Sequence, residues 1–238
     1  MTIARLTSRR PPSRMQRLLG YDGPVATMLL ATFQYFTVSV SFVACLAPVL
    51  AFQALVGWQP THLAIGLGAL SLLPVFPAVH GLLLAAEVLR AEGASGRAGR
   101  RFWAGFASAF RTMTWAAVGV VVAALLIGYD LALFGHEDIV FLMAVGTAAV
   151  AVILAIAISS VALRERVSPI ALLTAAVGGI ARRPHVALAW LLLVSLAGAA
   201  TMLPVVGAVA WVFAPAAAAV AVRICNRALG FDRVVATR

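Results

Sequence analysis

Six long apolar segments are the feature that most limits how this chain can fold. They run approximately over residues 31–56, 63–89, 112–134, 139–163, 186–202 and 205–222, and each is long enough to cross a bilayer as a helix. Hydrophobic residues make up 63% of the chain and charged residues 11%, whereas soluble domains average roughly 45–50% and 25%. We therefore predict an all-α fold, a polytopic membrane helical bundle with six transmembrane helices.

The basic residues predict the orientation of this bundle. All 18 of them are arginines, and they lie in the N-terminal arm, in the connections after the second and fourth segments, and in the C-terminal tail. The connections at 57–62, 135–138 and 203–204 contain none. By the positive-inside rule both termini are cytoplasmic, and the net charge of +10 then requires no nucleic acid partner. The predicted organisation is a basic cytoplasmic arm (1–24), one transmembrane domain (25–228) and a basic cytoplasmic tail (229–238).

An amphipathic helix precedes the third apolar segment. On a helical wheel its aromatic residues share an arc of about 100°, and these are Phe102, Trp103, Phe106 and Phe110. The opposite side carries Arg100, Arg101, Ser108 and Arg111. This pattern is typical of a cytoplasmic helix at the membrane interface, and we predict that its aromatic side is where a partner binds.

A second amphipathic helix precedes the fifth segment. Ser168-Pro169 has the composition of an N-cap and first helical residue. An apolar arc follows at Ile170, Leu173, Val177 and Ile180, and Arg183-Pro184 ends the helix. Gly178-Gly179 predicts a weak point within it. The order of amphipathic helix, arginine and transmembrane helix thus occurs twice, at an offset of 70 residues, which we interpret as an architectural echo with weak sequence identity.

Three ionisable residues are candidates for intramembrane polar sites. His80 follows Pro74 and Pro77, which predict a bend in the second segment; it is either functional or a neutral imidazole bonded to a carbonyl that Pro77 frees. Glu87 lies one turn from Arg90, so a local ion pair is expected. Asp130 lies near the outer end of the third segment, close to carboxylates that we expect to be solvated and not metal-bound.

The sequence lacks the catalytic motifs of several common enzyme classes. Because the chain has no lysine, it has neither a P-loop lysine nor a Schiff-base lysine. It contains no HExxH or G-x-S-x-G motif, and Cys45 and Cys225 lie at different depths of the bundle. We predict no catalytic residue, no cofactor and no metal.

Over roughly residues 35–227, the chain resembles the YesL-like family of bacterial membrane proteins. The resemblance is carried by the aromatic spacing from Phe102 to Phe110, by Tyr129-Asp130-Leu131, by Phe76-Pro77-Ala78 ahead of Arg90-Ala91-Glu92-Gly93, and by the Arg183-Pro184 step. Gln59-Pro60 and Val79-His80 depart from the family pattern. The resemblance implies a multi-pass protein of the bacterial plasma (inner) membrane that accompanies carbohydrate ABC importers.

The resulting expectation is a non-catalytic accessory subunit of a maltose- or oligosaccharide-type ABC importer. Its partners would be the permease and ATPase subunits of that importer, together with the lipid bilayer. One alternative is an independent small-solute carrier gated at the bend from Pro74 to His80. Another is an enzyme of envelope glycan or lipid metabolism, for which no nucleophile and base are visible.

Overall fold

The computed structural model describes residues 23–164 and 168–231 as a bundle of α-helices, with no strand among them. The helices are α1 (Pro24–Cys45), α2 (Ala47–Leu55), α3 (His62–Ser71), α4 (Val75–Glu92), α5 (Ala98–Thr112), α6 (Thr114–Phe134), α7 (Asp138–Ala162), α8 (Pro169–Arg182), α9 (Pro184–Thr201) and α10 (Gly207–Ala228). Six stretches are long and apolar enough to cross a membrane, namely α1, α3 with α4, α6, α7, α9 and α10. This confirms the predicted six-span helical fold. The arm at 1–22 and the tail at 232–238 lie outside the described residues.

The first two crossings are interrupted where the sequence contains prolines. α1 ends at Cys45 and α2 begins at Ala47, so Pro48 occupies the first turn of α2, where its missing N–H is not needed. The second crossing breaks between α3 and α4, and Pro74 caps the start of α4. The bend predicted at Pro74 and Pro77 is therefore present, and each of the two breaks divides one crossing into two helices.

Polar contacts show which helix ends lie together. Near the end of α10, Asn226 Oδ1 accepts a hydrogen bond of 2.8 Å from Trp190 Nε1 of α9. The amide of Asn226 in turn donates to Ser160 Oγ of α7 at 3.1 Å. At the opposite end, His62 Nδ1 of α3 lies 3.1 Å from the Tyr129 hydroxyl of α6. We call the end that contains Asn226 the basic end, because arginines of α4, α5, α8 and α10 lie there.

The helices between Val75 and Thr201 form two similar units. The unit α4–α5–α6 is followed by α7–α8–α9, and corresponding boundaries lie 70 positions apart: α4 and α7 end at Glu92 and Ala162, and α6 and α9 begin at Thr114 and Pro184. Positions 102 and 172, 109 and 179, 116 and 186, and 117 and 187 are all buried. Both α4 and α7 run toward the basic end, so the units have the same direction. The echo in the sequence is therefore a parallel structural repeat and not an inverted one.

The residues that follow α10 fold back against α8 and α9. Gly230 has a φ of +69°, a conformation that glycine adopts without strain, and Phe231 then packs against the Trp190 ring at a centroid distance of 5.1 Å. A Cβ at Gly179 would lie 2.8 Å from the Phe231 ring, so Gly179 makes room for it. Helix α8 runs unbroken through Gly178-Gly179, from Pro169 to Arg182.

Candidate functional site

Helix α5 is held against α4 by two glycines. A Cβ at Gly81 of α4 would lie 2.7 Å from the Phe102 carbonyl oxygen, and a Cβ at Gly105 would lie 3.1 Å from the Gly81 Cα. The backbones approach so closely that the Phe102 side chain is fully buried, with 0% of its surface exposed. Phe102, predicted as a partner-binding residue, therefore packs inside this chain.

The other three aromatic candidates form a continuous exposed row. The ring of Trp103 lies 5.8 Å from that of Phe106, which lies 6.0 Å from that of Phe110. Trp103 is 48% exposed and Phe110 is 40% exposed, while Phe106 is half-buried. We call these three residues the aromatic stripe. It lies between the face of α5 that packs on α4 and the arginine-bearing face.

Helix α8 repeats this arrangement with aliphatic residues. Its buried positions are Leu172, Ala176 and Gly179. The predicted apolar arc lies beside that face, and its members Ile170, Leu173 and Val177 are exposed. Each unit thus has an amphipathic helix at the basic end. One face of that helix packs on the bundle, and the described residues leave the neighbouring apolar row exposed.

A cluster of three arginines surrounds Glu87 at the basic end. Arg90 Nη2 lies 3.4 Å from Glu87 Oε2, so the expected local pair is confirmed. Two further arginines come from α10: Arg227 Nη2 lies 3.2 Å from Oε2, and Arg223 donates from Nε to Oε1 at 2.5 Å and also from Nη2. Sequence spacing showed the local partner and missed the distant ones, since Arg223 lies 136 positions away along the chain.

The remaining ionisable candidates lie apart from this cluster. His80 is buried, and its Nδ1 atom has no hydrogen-bond partner among the described residues, so the predicted bond to a carbonyl freed by Pro77 is not made through that atom. Asp130 is exposed at the opposite end of the bundle. No group of three or more His, Cys, Asp or Glu side chains suited to a metal ion occurs among the described residues. Cys45 and Cys225 are free thiols.

An apolar cavity of about 500 Å³ lies in the centre of the bundle. Its lining comes from α1, α2, α4, α6, α7, α9 and α10 and from the break between α3 and α4, so it lies between the two repeated units. The lining residues are almost all aliphatic or aromatic, for example Phe42, Phe76, Val120, Ile156 and Trp211. Val79 borders the cavity and His80 does not.

No protein-family model, curated protein or solved structure matches the chain. Its function is therefore inferred from its own side chains and from the resemblance carried by residues such as Trp103 and Phe110. The described part of the molecule offers three features for this purpose: the aromatic stripe, the arginine cluster around Glu87 and the apolar cavity.

Proposed function

We propose that this protein is a non-catalytic accessory subunit that associates with a carbohydrate ABC importer in a bacterial plasma membrane. In this proposal both termini are cytoplasmic, and α5 faces the permease near its contact with the ATPase. The aromatic stripe carries the proposal. The class of partner comes from the family resemblance, and the location of the contact comes from the exposed side chains.

The stripe suits a protein contact because it combines rigidity with exposure. Trp103 and Phe110 extend from a helix whose other face is fixed by the close approach at Gly81 and Gly105. Little conformational entropy is then lost when a partner covers them, since the backbone beneath is already ordered. Aromatic side chains of this kind dominate binding energy at protein interfaces, and single truncations there cost about 2 kcal/mol or more.

Small residues on α9 support a second contact with the same partner. Ser195 and Ala199 are small and exposed on α9, and neither lines the apolar cavity. Small side chains let transmembrane helices of two proteins approach closely. The permease would therefore contact α9 within the bilayer and α5 at the basic end.

The proposal is tested by co-purification. The tagged protein is expressed with the permease and ATPase of a maltose- or oligosaccharide-type importer and isolated in a mild detergent. We expect the importer subunits to elute with it, and we expect the double substitution Trp103→Ser and Phe110→Ser to lower their recovery by about tenfold or more, as the loss of two anchor residues implies.

A matched control uses exposed aromatic residues far from α5. Phe134 and Phe141 are 53% and 58% exposed and lie near the end opposite the basic end. Phe134→Ser with Phe141→Ser should leave recovery unchanged, while gel filtration confirms that both double variants are folded. If the two double variants recover the importer equally, the aromatic stripe only anchors the protein in lipid. If the unsubstituted protein does not co-purify with the importer subunits, the proposal is refuted.

A further inference from the structure

The arginine cluster around Glu87 has hydrogen-bonding capacity that the described protein does not use. Arg223 is 3% exposed, yet its Nη1 atom is buried without a hydrogen-bond partner among the described residues. Arg90 Nε is likewise buried without a hydrogen-bond partner among the described residues. Burying such donors unpaired is costly, so their arrangement indicates an acceptor that binds between them.

The charge of the cluster shows what that acceptor must be. Glu87 contacts the guanidinium groups of Arg90 and Arg223, and a single carboxylate neutralises one of those two charges. An anion with several oxygen atoms would accept hydrogen bonds from the unused donors. Guanidinium groups bind phosphate oxygens especially well, because their planar fork of N–H groups matches them.

Residues that neighbour this cluster in the chain line the apolar cavity. Leu83 lines it and precedes Glu87 by one helical turn, and Val222 lines it and precedes Arg223 by one residue. Its volume of about 500 Å³ falls within the range of about 300–1,000 Å³ that is usual for small-molecule sites. A cationic group at one end of an apolar cavity matches a molecule with an anionic head and a hydrocarbon chain.

We propose that this protein binds a phospholipid with an anionic headgroup, whose phosphate lies at Arg90 and Arg223 and whose acyl chain enters the cavity. The cavity is lined by helices of both repeated units, α4 and α6 from the first and α7 and α9 from the second. Of the six spans α7 has the highest mean hydropathy, 2.8, yet its apolar window is 6% buried. An acyl chain in the cavity would contact α7 at Ala151, Val152 and Ala155 and link the two repeated units.

The test measures lipid binding to the full chain in nanodiscs or detergent. Phosphatidylglycerol and phosphatidylcholine of equal chain length are titrated and followed by native mass spectrometry, with inorganic phosphate as a separate ligand. We expect phosphatidylglycerol to bind about tenfold more tightly than phosphatidylcholine, because both lipids carry the phosphate but the choline cation of phosphatidylcholine is repelled by the arginines. Equal affinity for the two lipids would overturn the proposal, as would displacement of the lipid by millimolar phosphate.

Two variants separate the headgroup contact from the chain contact. Arg90→Gln should lower phosphatidylglycerol affinity, whereas Arg101→Gln, at an exposed position of α5, should not. Ala151→Phe would fill the cavity and should weaken long-chain phosphatidylglycerol while leaving a six-carbon analogue unaffected. Arg223→Met is avoided because it leaves Glu87 without its closest partner. If Arg90→Gln and Arg101→Gln bind the lipid alike, the arginine cluster serves the fold alone and the proposal is wrong.

Discussion

Glu87 and Arg223 join the ends of two transmembrane helices that are 136 positions apart in the chain. Arg223 Nε donates to Glu87 Oε1 at 2.5 Å, and the arginine side chain is 3% exposed. The same carboxylate also holds Arg90 and Arg227. One acidic residue thus ties α4 of the first repeated unit to α10, the last helix of the bundle.

Removing the acid should destabilise the protein strongly. Glu87→Gln leaves Arg223 as a buried charge without its counterion, and breaking a buried pair in this way costs about 3–5 kcal/mol. We expect the unfolding temperature in detergent to fall by several degrees, whereas Glu92→Gln, at an exposed site of the same helix, should have little effect. A double variant, Glu87→Leu with Arg223→Met, should recover most of the loss. Equal effects of Glu87→Gln and Glu92→Gln would contradict this role.

Glycine substitutions should separate close packing from helix propensity. Replacing Gly81 by alanine places a methyl group 2.7 Å from the Phe102 carbonyl oxygen, so α5 must shift and the unfolding temperature should fall. The control is Gly119→Ala on α6, where a Cβ meets no heavy atom within 4 Å. There the ordinary gain of about 0.5–1 kcal/mol for alanine in a helix applies. Opposite signs are expected, and a loss at both positions would refute the packing argument.

The turn after α10 should prove essential for stability. Phe231 is 1% exposed, and its truncation to alanine should cost about 3–5 kcal/mol because a cavity opens beside Trp190 and Gly179. Phe134→Ala removes the same atoms from an exposed site and is the control. Unfolding followed by thermal scanning compares the two variants. If the folded domain ended at residue 228, the Phe231→Ala and Phe134→Ala variants would unfold at the same temperature.

Much of this architecture follows from hydropathy and proline positions. The six spans, the bends at Pro48 and Pro74, and the start of α8 at Ser168-Pro169 are local signals, because each depends on residues within one or two helical turns. The Ser168 side chain does accept a hydrogen bond from the Ala171 N–H. Local chemistry of this kind is visible in the sequence, since its cause and its effect are adjacent.

The features that were not predicted depend on partners distant in the chain. The burial of Phe102 follows from Gly81, and the role of Gly179 follows from Phe231. Likewise, the Trp190–Asn226–Ser160 hydrogen bonds unite three helices. A helical wheel of α5 alone places Phe102 and Trp103 on one apolar arc, whereas packing on α4 divides that arc into a buried half and an exposed half.

The orientation of the chain can be tested by cysteine labelling. In a variant with Cys45→Ala and Cys225→Ala, single cysteines are placed at Gln59 or His136 and, for the basic end, at Ser95 or Thr174. A membrane-impermeant maleimide should label the first two in intact cells and the second two after the cells are opened, as cytoplasmic termini require. The reverse labelling pattern would show that the orientation is inverted and that α5 is not on the cytoplasmic side.

The contact between the aromatic stripe and an importer subunit is the central claim, and photo-crosslinking in native membranes tests it most directly. A photoreactive phenylalanine analogue replaces Trp103, or Phe141 as a control that faces outward on α7. The proposal predicts a discrete adduct with the permease or ATPase from position 103 and none from position 141. Crosslinks from position 103 to lipid alone, with the importer present in the same membranes, would contradict it.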